Sequence, residues 1–342
     1  MKVAIVNCPD TGPLNSIREM LGTVGYTVTV PGPRLRSFLQ EIGVTLVQHW
    51  SDLQHLGYTS PSPPIAESDQ FNAGDLYVDV KVNGCRAFQR WNANANVLWY
   101  RIQGGYPEVT PKGGDEVNPP CPVLTANRWY LEDRWREIAY VAWLPLTNKE
   151  DYIYKRPAWL LKPGSLEATS VSLIHGVNGW GYAPVIERVT REVDHRVYGA
   201  NSPYGVIHHS EVADRLADAL CYVQFRSNDS PGYALYEAMF ARCPLIVPRR
   251  FIARMNVGDL FVEHQTCRCF DRPDGDCGSE SWANDCAVEV IDHFNTLKLN
   301  PSAARRLASR MLVAIQDRMW DPYRTSDVDS LQRFMTKHFG KA

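Results

Sequence analysis

The sequence predicts an α/β protein built as two Rossmann-like domains, and three observations carry this. The 342 residues exceed what a single domain usually holds. Short apolar, β-prone runs alternate with stretches of helical spacing from the first residues onward. The alternation then starts afresh after residues 151–168, a stretch with two prolines, a glycine and mixed charge. The expected division is residues 1–155 as a first domain, 156–168 as a linker and 169–320 as a second domain. Residues 321–342 form a final amphipathic helix able to cross back onto the first domain.

In the first half, Val3-Ala4-Ile5-Val6 reads as a strand, Pro9-Asp10-Thr11-Gly12-Pro13 as a turn, residues 15–21 as a helix and 26–30 as a second strand. Gly12 stands alone, so the Gly-x-Gly-x-x-Gly spacing of a dinucleotide fingerprint is missing. Residues 34–43 continue as a helix. Residues 45–49 read as a strand whose last residue, His49, either faces a ligand or is an ordinary loop histidine. Residues 55–74, rich in Pro, Ser and Gly, read as a long loop. Strands follow at 74–82, 96–102, 122–127 and 139–144, with a polar, aromatic helix or turn at 129–136. In open parallel sheets ligands bind beyond the carboxyl ends of the strands. Arg101, Gln103 and Glu108, at the end of the 96–102 run, are therefore candidate ligand-facing residues. Glu108 is either a general base on a hydroxyl or a solvated loop acid.

Composition narrows the class. Hydrophobic residues make up 44% and charged residues 22%, which is ordinary for a globular protein. A net charge of −2 offers no global attraction for nucleic acid. No apolar run approaches the ~18 residues of a membrane span. The apolar part of the N-terminal stretch is too short for a signal peptide and reads as a first strand. Nine cysteines, an odd number in such a chain, point to reduced thiols and a cytoplasmic setting.

The second half opens with a strand at 169–174 and a glycine-rich loop, His175-Gly176-Val177-Asn178-Gly179-Trp180-Gly181. A helix at 183–193, a strand at 196–199, a loop at 202–206 and a helix at 210–219 follow. Residues 222–225 are a short strand leading into Ser227-Asn228-Asp229-Ser230-Pro231-Gly232-Tyr233-Ala234-Leu235-Tyr236-Glu237-Ala238-Met239. Ser230 suits an N-cap and Pro231 the first helical position, so a helix is expected from Gly232 to Arg242. Cys243-Pro244 ends it, and Leu245-Ile246-Val247 reads as a buried strand. A helix start presents unpaired N–H groups and a positive dipole end, which suits phosphate. Gly232 permits close approach of a ligand to the backbone. Glu237, one turn past Tyr233, can accept hydrogen bonds from sugar hydroxyls on the same face.

Asp229, seven residues, then Glu237-Ala238-Met239, with Gly232 three after the first acid and Cys243-Pro244-Leu245-Ile246-Val247 behind, resembles the donor-binding signature of retaining GT-B-fold glycosyltransferases. The resemblance is strongest over residues 169–250, and elsewhere lies in the order of strands and helices. It implies two Rossmann-like domains facing a cleft, and transfer of a sugar from a nucleotide sugar, a UDP-sugar first, to an acceptor hydroxyl. No metal is required, and the anomeric configuration is retained. By the same resemblance Glu237 holds the ribose hydroxyls, the amides of Tyr233 and Ala234 hold the diphosphate, and His175, Gly176 and Gly179 border it. Asp229 touches the donor sugar, and Arg226 stabilises the leaving group. The family usually supplies an Arg and a Lys from the preceding loops for the phosphates. Here Arg226, Arg249 and Arg250 are the substitutes.

The chain also resembles bacteriophage-encoded glycosyltransferases, which implies a hydroxymethylated pyrimidine in phage DNA as the acceptor and the host cytoplasm as the setting. That acceptor needs access to a flipped base. The alternatives are a glycan, lipid-linked or small-molecule acceptor, a nucleotide-sugar epimerase, or a non-catalytic binding protein on the same scaffold. Finally, Cys267, Cys269, Cys277 and Cys286 lie close together in what reads as a loop. Four thiolates can hold a structural zinc, although the paired Cys-x-x-Cys spacing is absent, and unliganded thiols are the alternative.

Overall fold

A computed structural model describes residues 3–7, 11–44, 65–70, 75–79, 82–101, 121–125, 139–141, 150–155, 169–173, 181–199, 202–226, 233–254, 260–272, 276–319 and 325–340. The chain divides into two compact units, Met1–Thr147 with Asp321–Ala342, and Asn148–Trp320.

The first unit holds a parallel sheet of seven strands: β1 (Val3–Asn7), β2 (Thr27–Pro31), β3 (Glu67–Ser68), β4 (Leu76–Asp79), β5 (Asn96–Arg101), β6 (Val123–Thr125) and β7 (Ala139–Val141). Their order is β3-β2-β1-β4-β5-β6-β7, the doubly wound arrangement of a Rossmann fold. Val3 lies opposite Thr27, and Ala4 opposite Leu76. Val97, Leu98, Trp99 and Tyr100 of β5 are buried in succession, as expected of a parallel strand covered on both faces. Tyr77 stacks on Phe88, from the helix Val82–Trp91, with ring centroids 4.5 Å apart. That helix begins where the sequence was read as a continuing strand. The helix Pro33–Glu41 starts against Asp69, whose Oδ1 accepts the N–H groups of Arg34 at 2.9 Å and Leu35 at 3.1 Å. The chain's own carboxylate thus fills this anion-favouring position. The final helix, Thr325–Phe339, belongs to this unit, burying Leu331, Met335 and Phe339 and setting Phe334 5.5 Å from Tyr140.

The second unit has a five-stranded parallel sheet, β8 (Ser170–Leu173), β9 (His195–Tyr198), β10 (Cys221–Val223), β11 (Leu245–Pro248) and β12 (Arg268–Phe270). Its order is β12-β11-β10-β8-β9. All four residues of β11 are buried, matching the apolar run read from the sequence. The core gathers Tyr182, Phe225, Phe270 and Trp282, with Tyr182 5.2 Å from Trp282 and Phe225 5.8 Å from Phe270. Helices Ala183–Glu192 and Glu280–Leu299 pack together, while Tyr233–Phe240 packs with Val212–Asp218 and Pro301–Met319. Ser279 caps Glu280–Leu299 by accepting the Trp282 N–H at 3.2 Å. The division falls ahead of the 156–168 stretch because Glu150–Ile153 and Lys155 are bonded into the second unit. Among the described residues, no helix is long and apolar enough to cross a membrane.

The expectation that the four cysteines share a single loop is corrected. Cys269 lies in β12 with Cys267 just before it, while Cys286 is in the helix Glu280–Leu299. These three are buried and Cys277 is exposed, and all four are free thiols. Burial pushes the Cys286 thiol up to about 12. The Cys267 thiol is raised by its hydrogen bond with Cys269, whose Sγ is 3.7 Å away, and by burial. Among the described residues, no group of three or more His, Cys, Asp or Glu is placed to hold a metal ion.

Candidate functional site

The strand order of the second unit reverses between β8 and β10, which pair directly. In doubly wound sheets the crevice at such a reversal, beyond the carboxyl ends of the strands, is where ligands bind. The chain leaves β8 at Leu173 and β10 at Val223, so the segments predicted to border a donor are those that continue from this reversal. His175, Gly176, Gly179, Asp229 and Gly232 lie outside the described residues, as do His49, Gln103 and Glu108. Arg101 ends β5, in the first unit. Arg226 is half-buried, three residues beyond β10. Beneath it, the Gln224 N–H donates to the Ile246 carbonyl at 2.9 Å, and the Tyr222 hydroxyl donates to Gln224 Oε1 at 2.8 Å.

The helix expected from Gly232 is Tyr233–Phe240. Tyr233 and Ala234 are its first residues, where helical N–H groups have no partner within the helix. Leu235, Tyr236, Ala238, Met239 and Phe240 are all buried, so the helix is apolar on nearly every side. Glu237 is the exception, a carboxylate only 9% exposed. A buried carboxylate requires hydrogen-bond donors. One is Tyr152, 1% exposed, whose hydroxyl donates to Glu237 Oε1 at 2.9 Å. Nothing local in the sequence announces Tyr152; it stands in the stretch whose composition reads as the approach to a linker.

Arg249 and Arg250, the expected phosphate-binding substitutes, are engaged elsewhere. Arg249 Nη2 lies 2.8 Å from Glu263 and Nη1 2.9 Å from Glu289. Arg250 Nε lies 3.0 Å from Asp271 Oδ2, and its guanidinium sits 5.7 Å from the centre of the Trp282 ring. Asp271 follows β12 with a φ of 74° and is almost fully enclosed. It also accepts from Tyr182 Oη at 3.0 Å and Trp282 Nε1 at 2.7 Å. Burial raises its carboxyl above the usual range, against the pull of Trp282 and Arg250. A cavity of about 150 Å³ beside it is lined by Asp271, Asp276, Asp285 and Glu289 against Arg272. Its acidity repels a diphosphate, so this cavity is not the donor site.

A second enclosed group, His195 of β9, was not foreseen. Ser172 Oγ donates to the Val223 carbonyl at 2.6 Å and so accepts from His195 Nε2, 3.1 Å away. His195 Nδ1 is then the acceptor of the Ser170 hydroxyl at 2.8 Å, which assigns the neutral tautomer. Burial lowers this imidazole to about 3, outweighing the opposite effect of Asp194. His195 therefore ties β9, β8 and β10 together as a neutral strut.

No protein family and no curated protein matches this sequence. Solved structures do match in fold. HepE from Anabaena, solved with UDP and glucose, is 10% identical with a TM-score of 0.61, and all of both chains is covered. The sucrose-phosphate synthase of Thermosynechococcus elongatus is 14% identical with a TM-score of 0.61, again over the whole of both. The catalytic domain of starch synthase IV from Arabidopsis thaliana, bound to ADP and acarbose, is 9% identical with a TM-score of 0.60, covering 99% of each chain. At these identities the likeness is one of architecture. The chain has the GT-B fold.

Proposed function

We propose that this chain is a glycosyltransferase that moves a sugar from a nucleotide sugar, a UDP-sugar first and an ADP-sugar next, to an acceptor hydroxyl. The observation that carries the reading is Glu237. It is a buried carboxylate on the helix that follows β10 at the strand-order reversal of a GT-B fold, with seven residues between it and the acid Asp229. HepE was solved with UDP, and starch synthase IV with ADP, which supports a nucleoside diphosphate as the leaving group.

In this reading Glu237 accepts hydrogen bonds from the ribose hydroxyls. Gly232 and the Tyr233 and Ala234 amides receive the diphosphate at the helix start, with His175, Gly176 and Gly179 on its other side. The bond from the anomeric carbon to the phosphate oxygen breaks, and the electron pair leaves with the nucleoside diphosphate, whose charge Arg226 stabilises. The acceptor oxygen forms the new bond to the same carbon, its proton passing to Glu108 as general base. Asp229 contacts the sugar, and the anomeric configuration is retained, as the resemblance to the retaining family implies. The chemistry needs no metal in this scheme.

The test is incubation with labelled UDP- and ADP-sugars, with acceptors that include glycans, small hydroxyl compounds and hydroxymethylated DNA. Label on one acceptor class assigns the acceptor. Interconversion of the donor without any acceptor would make the protein an epimerase. Glu237→Ala is expected to weaken nucleotide binding by about 10- to 100-fold, the range of hydrogen bonds to a charged group. If Glu237→Ala left both nucleotide binding and donor turnover unchanged, the transferase reading would be lost.

A further inference from the structure

Glu237 is held from outside its own helix, and the holding runs in a closed circuit. The helix Tyr233–Phe240 ends in paired bonds, from the Arg242 N–H to the Met239 carbonyl at 3.1 Å and from the Cys243 N–H to the Ala238 carbonyl at 2.9 Å. This is a Schellman ending, whose left-handed position glycine usually takes. Here it is Arg242, with a φ of 59°. An arginine in that conformation costs energy that a glycine would not. What the side chain contributes is reach: Arg242 Nη2 donates to the Lys155 carbonyl at 2.6 Å and lies 3.5 Å from that of Ile153. Those carbonyls close the short helix Glu150–Ile153, which carries Tyr152. The Tyr152 hydroxyl then returns to Glu237 at 2.9 Å. The phenol is the donor and Glu237 Oε1 the acceptor, so the contact restrains the carboxylate through one of its oxygens.

We propose that Tyr152 is a positioning residue for ribose recognition, with Arg242 setting its place. By holding one oxygen of Glu237, the phenol turns the carboxylate to meet the ribose hydroxyls of the donor. Discrimination between a ribose and a sugar lacking those hydroxyls then resides in the pair, not in Glu237 alone. This inference rests on the nucleotide-sugar reading above.

The experiment compares dissociation constants for UDP and ADP with those for their 2′,3′-dideoxy counterparts, in the wild-type chain, Tyr152→Phe, Arg242→Gly and Glu237→Gln, with thermal melting of each. In Tyr152→Phe, affinity for the ribonucleotides is expected to fall about 10-fold, the scale of one charge-assisted hydrogen bond. Affinity for the dideoxy compounds is expected to stay within about twofold, so the preference collapses. Arg242→Gly keeps the helix ending and loosens Tyr152, and is expected to reduce the preference by about two- to fivefold; it decides the matter should Tyr152→Phe fail to fold. Equal weakening of both nucleotide types means a structural role only and overturns the proposal. So does an unchanged preference in Tyr152→Phe while Glu237→Gln loses it, an outcome that leaves the nucleotide-sugar reading standing. A wild-type chain that binds none of the four nucleotides defeats that reading itself, and this inference with it.

Discussion

Two buried carboxylates of the second unit, Asp271 and Glu237, show how differently one sheet treats a negative charge. Asp271, past the end of β12, is surrounded by Tyr182, Trp282 and Arg250, and the guanidinium is itself covered by the indole. Charge and hydrogen bonds are met from within the chain, and the group acts as a rivet between β12, the Arg249–Arg254 helix and the Glu280–Leu299 helix. Glu237 stands at the strand-order reversal and receives from Tyr152 a donor that carries no charge. Where a carboxylate serves architecture, the fold places a cation against it. For Glu237, to which the proposed function gives the ribose hydroxyls, the fold brings up the Tyr152 phenol from a separate short helix.

The most severe test of that contrast is Asp271→Ala. Removing one partner of a buried ion pair strands the other, which typically costs about 3–5 kcal/mol. Urea denaturation is expected to show a loss of that size, while nucleotide affinity of the folded fraction stays unchanged. Loss of affinity at intact stability would instead put Asp271 in the binding site and dissolve the comparison.

A smaller effect is expected from His195, which belongs on the architectural side. Its imidazole is lowered to about 3 from an ordinary value near 6.5, so between these the unfolded chain takes a proton that the folded chain refuses. Its contribution is complete above pH 6.5 and is lost as pH falls toward 3, with a slope of at most about 1.4 kcal/mol per pH unit. Denaturation curves at pH 7.5, 5.5 and 4.5 for the wild type and His195→Asn should show that component of the slope disappearing in the variant. An identical slope in both would mean that His195 is not buried neutral.

The smallest effect should come from Arg242→Gly. The change forfeits hydrogen bonds from a charged donor, about 1.5–3 kcal/mol, and recovers about 1–2 kcal/mol of left-handed strain. A net destabilisation of about 1 kcal/mol is expected by urea denaturation, alongside a clear change in ribose preference. A large drop in stability with no change in preference would move Arg242 to the architectural side.

Local pattern made much of this fold legible. The apolar runs of β1, β5 and β11 and the helix Tyr233–Phe240 ahead of β11 are written in consecutive residues. Misreadings arose where meaning depends on distant partners. Arg249 and Arg250 look free in sequence, and are claimed by Glu263, Glu289 and Asp271 only once the chain has folded back. Arg268-Cys269-Phe270 is too short to announce a strand, and its cysteine reads as a ligand although burial makes it a core group. The spacing to Asp229 singles out Glu237 as a candidate, whereas nothing in sequence points to its contact with Tyr152, eighty-five positions away. Nothing along a linear pattern connects a phenol to a carboxylate at that separation.

The first unit closes on a helix from the far end of the chain, and this sets an order of events during synthesis. Asn148–Trp320 is contiguous and can finish folding as soon as it has emerged. The Met1–Thr147 sheet, though made first, waits for Thr325–Phe339 to cover Tyr140 and bury Leu331, Met335 and Phe339. The ribosome therefore delivers the start of the first unit early and its lid last, so a nascent chain halted near residue 320 would carry one completed unit and one with an uncovered apolar face.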